Sequence, residues 1–417
     1  MQEICGMRLG LIIIFYLFIN QGICQILGCT DPLALNFNAN ASRNDGSCTY
    51  SSTTLKPFSS IFLQHYLPEI SGLTKFRDGL WGHNDNSDCR LYRIDTSTGF
   101  VVEAIKMKGG LNRDWEDVGY DDSFIYMGDF GNNFRGNRKD LTIYKWRKSQ
   151  LTDSFTVQDS IRFVYPEQED FSVLSPNTTN FDCEAMVVVG DSIYLFTKEW
   201  GKQGSTVYRI SKKDSFQDAT KIGYLPVGGL ITSACYNPKY NSIVLLGYSD
   251  LLQPFLYLVY DLNGFDFQRC NKRKVQLDLP FYQTEGIELL DDYTVVVANE
   301  RFSNTFVKTQ ESLQYFNLSL LLGDFYNRTL NIINFTDAMM RFEISQNPGN
   351  AQQSSRLIIR GANRCMPIQQ EVKVLSETGA TLQTLFMGSD SMILPQVLPG
   401  LYLVGNTQLG YVKWVVE

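Results

Sequence analysis

Five times between Phe58 and about Leu322 the chain repeats one pattern. A polar start leads into a short apolar strand, a polar turn, a second apolar strand, a polar loop, and a strand of Leu-Tyr-x-Ile/Val type. The starts are Glu69-Ile70-Ser71-Gly72-Leu73, Trp115-Glu116-Asp117-Val118, Cys183-Glu184-Ala185-Met186, Thr232-Ser233-Ala234-Cys235 and Thr284-Glu285-Gly286-Ile287. Third strands include Arg90-Leu91-Tyr92-Arg93-Ile94, Thr206-Val207-Tyr208-Arg209-Ile210 and Phe255-Leu256-Tyr257-Leu258-Val259. Counted from Glu69, Glu116, Glu184, Ser233 and Glu285, the starts lie 47, 68, 49 and 52 residues apart. Repeats of about 40–50 residues with several strands each mark the blades of a β-propeller, because one such sheet cannot bury both faces until it stacks on its neighbours. The expected fold is therefore all-β, a propeller of five blades, or six if the long second interval hides a degenerate blade in 167–179. The fifth repeat stops after its third strand, and Ile61-Phe62-Leu63-Gln64-His65-Tyr66 is a spare strand at the start. That spare strand is expected to complete the last blade and close the ring, which removes free sheet edges.

At 417 residues, two or three folded units are expected. Aromatics at 13% favour pleated, half-buried strands. A net charge of −7 excludes the basic face that a nucleic-acid binder needs. With His65 and His83 the only histidines, a multi-histidine metal site is excluded. No Ser-His-Asp arrangement, glycine-rich phosphate loop or nucleotide fingerprint is readable.

Arg8 precedes an apolar run, Leu9 to Ile19, followed by Gly22 and Cys24 as small residues before Gln25. The run is too short to span a bilayer and suits the core of a cleavable signal peptide over residues 1–24. A lipid anchor at Cys24 is the weaker reading, since bulky Ile23 stands where a small residue is expected. No other stretch is apolar and long enough for a membrane span in the mature chain. Seven cysteines follow: Cys29, Cys48, Cys89, Cys183, Cys235, Cys270 and Cys365. Cys29 and Cys48 bracket one Asn/Gly-rich segment and are the expected disulfide; the others show no pairing pattern and no metal-site spacing. Within that segment Asn36, Asn38, Asn40, Asp31 and Asp45 supply either tight turns or calcium ligands.

Blade geometry concentrates chemistry at one end of the ring. The first strand of each blade begins, and the antiparallel second strand ends, at the same channel mouth. Glu69, Glu116, Glu184 and Glu285 fall at the first position, with Ser233 in the fourth repeat. Asn84, Asp85, Asp129, Asn132, Lys198, Glu199, Asn299 and Glu300 fall at the second. Clustered carboxylates repel unless a cation or protons neutralise them. Calcium, which takes 6–8 oxygen ligands, is the expected cofactor, held by Glu69, Glu116, Glu184 and Glu285. The structural alternative is that these glutamates bond neighbouring backbone and lock blade to blade. Glu116 and Glu184 are the candidate catalytic carboxylates if the mouth is an active site. Asp121-Asp122 and Asp291-Asp292 fall on the opposite face and read as turn formers. Arg135, Arg138, Lys139 and Arg301 read either as rim anion ligands or as solvated surface.

Three resemblances add to this. Residues 28–48, from Gly28-Cys29-Thr30-Asp31-Pro32 to Asp45-Gly46-Ser47-Cys48, resemble a short disulfide-closed module of proteins exported by type IX secretion. Gln346-Asn347-Pro348, Leu398-Pro399-Gly400-Leu401-Tyr402 and the final strand around Lys413-Trp414-Val415 resemble the type A C-terminal sorting domain of that system. The motifs Asp114-Trp115-Glu116-Asp117, Gly128-Asp129-Phe130-Gly131-Asn132-Asn133 and Thr284-Glu285-Gly286-Ile287 are similar to those of phytase-like and SdiA-regulated propellers, and more distantly to lactonase propellers. These imply channel calcium and, in some members, hydrolysis of lactones or phosphate esters; the lactonase histidine has no secure counterpart beyond His83. The expected organisation is a signal peptide (1–24), a disulfide module (25–50), a linker (51–57), the propeller (58–322), a linker (323–340) and a C-terminal sorting β-sandwich (341–417). The expected function is an exported or cell-surface, calcium-holding module binding a small-molecule or protein ligand. It would reach the outside through the periplasm, with the type IX machinery as partner. The alternative is a metal-dependent hydrolase of a small ester, lactone or phosphoester.

Overall fold

A computed structural model describes residues 25–150, 154–156, 159–305 and 307–327, and the strands at 341–344, 356–360, 370–376, 381–387, 391–393, 400–406 and 410–416. The expected signal peptide, Cys365 and residues 328–340 of the expected second linker lie outside the described residues. Among the described residues, no helix is long and apolar enough to cross a membrane. The chain falls into two compact units, one of residues 1–288 with 297–314 and one of 289–296 with 315–417.

The propeller has five blades. Their strands, from the channel outward, are as follows. Blade 1 runs Ile70–Phe76, Gly79–Asn84, Arg90–Ile94, Val101–Lys108 and blade 2 runs Trp115–Tyr120, Phe124–Asp129, Thr142–Arg147, Asp159–Val164. Blade 3 runs Asp182–Val189, Ser192–Lys198, Ser205–Ser211, Thr220–Leu225. Blade 4 runs Leu230–Asn237, Ser242–Tyr248, Pro254–Tyr260, Asn271–Leu277, and blade 5 runs Thr284–Leu289, Thr294–Asn299, Ser312–Asn317 and then Ser59–Phe62. The ring is thus closed by the N-terminal strand, as the truncated fifth repeat requires. No described strand falls in 167–179, so the insertion that lengthens the second interval is a loop and not a sixth blade.

Burial explains why the inner strands read as continuous apolar runs. Every residue of Ser242–Tyr248 and Pro254–Tyr260 is buried, because both faces of an inner strand meet a neighbouring blade. The outer strand Asn271–Leu277 alternates buried and half-buried residues, since one face meets solvent. The cores lie between blades: Val187, Phe196, Leu245 and Phe255 pack between blades 3 and 4, and Trp81, Trp115, Met127 and Trp146 between blades 1 and 2. Each such side chain stabilises by about 1.5–3 kcal/mol relative to exposure.

The repeat gives no hint of a second device. Immediately before the outermost strand of blades 2, 3 and 5, the chain adds a short parallel strand to the outer edge of the preceding blade. Ser154–Thr156 pairs with Val101–Lys108, Phe216–Asp218 with Asp159–Val164, and Thr54–Leu55 with Asn271–Leu277. These straps cover edge amides and tie consecutive blades.

Cys29 and Cys48 form the expected disulfide, whereas Cys89, Cys183, Cys235 and Cys270 are free thiols. Asp31 and Asp45 of this module make turns, accepting from the Leu33 and Ser47 amides at 3.0 Å, and Asn36 ties the segment's two ends by accepting from the Thr49 amide at 2.8 Å. The module is bonded to the outside of blade 4. Asp31 accepts hydroxyls from Tyr50 and Tyr260, and Asn44 donates to Asp261 at 3.0 Å and to Asn271.

In the second unit, strands Arg341–Ile344, Arg356–Arg360 and Ser391–Ile393 form one antiparallel sheet. A second is ordered Thr381–Met387, Gln370–Ser376, Gly400–Asn406, Gly410–Val416.

Candidate functional site: an acidic channel mouth around Lys198

At the mouth where inner strands begin, the inner hairpins are irregular in a regular way. In blade 2 Asp117 pairs with Gly128 and Trp115 with Asp129, leaving Glu116 as an extra residue. In blade 3 Cys183 pairs with Thr197 and Ala185 with Phe196, leaving Glu184. Blade 4 leaves Thr232 and blade 1 one residue of Ser71-Gly72. A β-bulge frees one residue from the ladder and re-aims its side chain. Here the bulged residues of blades 2 and 3 are the two glutamates, which is how they reach the channel. Gly131 keeps room for them: any side chain there would collide with the carboxylates of Glu116 and Asp114.

The result is a cavity of about 180 Å3 lined by Glu69, Asp85, Glu116, Glu184, Glu285 and Glu300, with Lys198, Trp200 and Tyr248. All four glutamates expected at the first position therefore converge. Among the described residues that line the cavity Lys198 is the one cation; its ammonium donates to Glu184 Oε2 at 3.1 Å and lies 5.0 Å from the Trp200 ring and 5.3 Å from that of Tyr248. Burial opposes the lysine's charge, but Glu184, Tyr248, Glu285 and Asp182 outweigh it and hold Lys198 protonated well above its usual range. Tyr248 donates its hydroxyl to Glu285 at 3.3 Å.

The carboxyls are pushed the other way. Burial, then repulsion from Glu69, raises Asp85 to about 6. Burial raises Glu285 to about 7, against the pull of Lys198. Glu300 reaches about 9 through burial and the charges of Glu285 and Asp85. Glu116 is raised well above the carboxylate range by burial and by Glu184. The mouth is a store of protons that a bound cation would displace.

Five of the second-position residues are scaffold and do not line the cavity. Asn84 bonds the Glu69 amide and the Tyr66 carbonyl. Asp129 takes the Asp114 amide and the Arg138 guanidinium. Asn132 donates to Phe181 O and accepts from the Arg138 amide. Glu199 accepts from Thr206 at 2.6 Å, and Asn299 bonds Gln310 O and Ser312. Their side chains bridge loops because a polar residue at a strand end has orphan backbone groups within reach. Asp85, Lys198 and Glu300 do line the cavity. His83 is fully buried, edge-on to Trp115, and burial lowers it to about 4. Asp121 and Asp291 each accept from the backbone amides two and three residues on, as turn formers do.

Blade locking falls to other side chains. Asp117 is fully buried and accepts from the amides of Val118 and Met186 and the hydroxyl of Ser233, joining blades 2, 3 and 4 below the cavity. Ser71 donates to Glu116 O at 2.6 Å and Thr232 to Thr284 O at 2.7 Å. The sequence signal was the run of polar residues inside otherwise apolar inner strands.

The donor chemistry of the mouth suits a hard cation, since every candidate ligand is oxygen. Yet among the described residues no three His, Cys, Asp or Glu side chains are gathered as a metal-holding group, and Lys198 already stands at Glu184.

No protein family matches the sequence, and no curated protein matches it. Among solved structures, it is similar to U3-55K at 9% identity and a TM-score of 0.35, over 63% of this chain and 100% of that one. It is similar to the β-propeller domain of Myceliophteria thermophila Cps50 (Swd1) at 9% identity and 0.33, over 87% of this chain and 99% of that one. A third is PorZ, an essential bacterial surface component of the type-IX secretion system of Porphyromonas gingivalis, at 11% identity and 0.27, over 87% of this chain and 52% of that one. The fold assignment rests on the strand pairings above.

Proposed function

We propose that the chain is a binding module whose acidic channel mouth receives the positively charged group of a ligand. One observation carries this: six carboxyl side chains line a single cavity that contains one lysine. Carboxyls held neutral by burial and by each other regain their charge when a cation enters, so binding is coupled to proton release. Calcium is one such cation, with Glu69, Glu116, Glu184 and Glu285 its expected oxygen ligands, but among the described residues no three carboxyls gather as a metal-holding group and Glu184 is engaged by Lys198. Calorimetric titration of the full chain with calcium chloride and with methylammonium, in buffers of different ionisation enthalpy, tests the reading. Binding with proton release, weakened in Glu285→Gln, supports it. No heat from any cation between pH 6 and 9 sinks it.

A metal-dependent hydrolase is the second reading, favoured by the cavity's titrating carboxyls, Glu285 near 7 and Glu300 near 9, which suit acid–base work. Turnover of a lactone and phosphoester panel, lost in Glu116→Gln, separates it from a pure binder.

We also propose that residues 341–417 act as a type IX sorting signal, which would bring the propeller to the cell surface or the medium. The antiparallel pairing of Gly400–Asn406 with Gly410–Val416, following Leu398-Pro399, supports this. A chain ending at residue 340 should accumulate in the periplasm; export of that truncated chain would rule the signal out.

A further inference from the structure

We propose that the occupant of the mouth is the guanidinium of an arginine side chain on a protein partner, with apolar residues flanking that arginine seated on the channel rim. This rests on the cation-binding reading above. Three observations select this occupant.

The first is an open acceptor. Glu184 is 2% exposed and lines the cavity; burial raises its carboxyl against the pull of Lys198, with the neighbouring Asp182 carboxyl adding to the rise. Its Oε2 takes the Lys198 ammonium, and its Oε1 has no partner within hydrogen-bond distance. A buried carboxylate oxygen left unmatched is a standing demand for a donor. The second is the spacing of the carboxyls. They line the cavity, yet among the described residues no three gather as a metal-holding group. A bare divalent ion needs convergent ligands, whereas a guanidinium spreads five N–H donors over a plane and can reach separated oxygens. Trp200 also lines the cavity, with the Lys198 ammonium 5.0 Å from its ring.

The third is the rim. Strand direction puts the connections 63–69, 109–114, 130–141, 249–253 and 278–283 at the mouth end, since each follows a second strand or precedes a first. Tyr66, Leu111, Phe134, Leu251 and Phe281 stand one in each of these, between 48% and 80% exposed. Exposed apolar side chains on the connections beside a charged mouth match a partner segment with the complementary order, apolar–basic–apolar. A desolvating rim about a buried anchor is also how protein interfaces concentrate affinity. A free small cation would leave the rim unused.

The test titrates the full chain with acetyl-Leu-Phe-Arg-Phe-Leu-amide, its citrulline analogue and acetyl-arginine-amide, following Trp fluorescence and heat. The arginine peptide should bind at least about tenfold tighter than either comparison compound. Leu251→Ser with Phe134→Ser, both at exposed positions, should erase its advantage over acetyl-arginine-amide with the melting curve unchanged. Glu184→Gln should weaken both arginine compounds, with the melting curve confirming a folded chain. If acetyl-arginine-amide or calcium binds as tightly as the peptide, protein docking is overturned and the cation site stands. Equal binding of the citrulline peptide overturns recognition of the guanidinium. If no cation binds, both readings fall.

Discussion

Asp117 shows how much one side chain can hold. It is fully buried, and its two oxygens accept from amides and a hydroxyl on three blades. Asp117→Ala would strand the Met186 amide and the Ser233 hydroxyl inside the channel, a loss on the order of 3 kcal/mol. Urea unfolding should show it, while Asp122→Ala at an exposed turn should move the midpoint little. The mouth carboxyls predict the response to pH. Asp85, Glu285 and Glu300 are raised from the ordinary carboxylate range to about 6, 7 and 9. The folded chain therefore keeps protons that the unfolded chain releases near pH 4. Their contribution to stability is full below that pH and is lost as pH rises through 6, 7 and 9. Melting temperature should fall from pH 5 to pH 9, and Glu300→Gln should flatten the upper part of that slope. A melting temperature that rises across this window would refute the raised values.

At the scale of elements, bulges and straps decide what the strands present. A strand has period two, so without the bulge at Glu184 the residues on either side would swap faces. The strap Thr54–Leu55 and the disulfide module before it both engage blade 4. The disulfide closes a segment of 19 residues' separation, worth roughly 3 kcal/mol if the module's unfolding is coupled to that of the blade. Replacing Cys29 and Cys48 with Ser should lower the melting temperature of the propeller itself, read from near-ultraviolet signals of its buried tryptophans. An unchanged propeller transition would show the module to be an independent appendage. The repeat made the four strands per blade legible, but not the straps. Two or three residues such as Thr54-Leu55 carry no periodicity, and their partners lie in another blade.

For the whole molecule, closure is the decisive step. Ser59–Phe62 is the outermost strand of blade 5, and Leu63 donates its amide to Glu311 O at 2.9 Å. Beside this seam Arg301 bonds the buried Glu311 carboxylate, which also lies 3.4 Å from His65. A chain starting at residue 64 would leave an open edge on blade 5, and such edges pair between molecules. It should lose cooperative unfolding and aggregate during gel filtration, and an added peptide of residues 54–63 should restore a monomer. A monomeric truncated chain would mean that the ring does not depend on its N-terminal strand.

The sequence by itself pointed to a propeller of five or six blades, its closing strand, the Cys29–Cys48 disulfide, and Glu69, Glu116, Glu184 and Glu285 at one mouth. The propeller features follow from local periodicity, which is written in near neighbours and repeated, and the disulfide from two cysteines that bracket one short segment. Only the tertiary structure decided which polar residues face the cavity and which serve as scaffold. Asn84, Asp129, Asn132, Glu199 and Asn299 turn to backbone and side chains of the loops around them, while Asp117 turns inward to bond residues 69 and 116 positions away. The reason is physical: a polar side chain goes where its unsatisfied partners are, and those partners are set by a register that bulges shift one residue at a time.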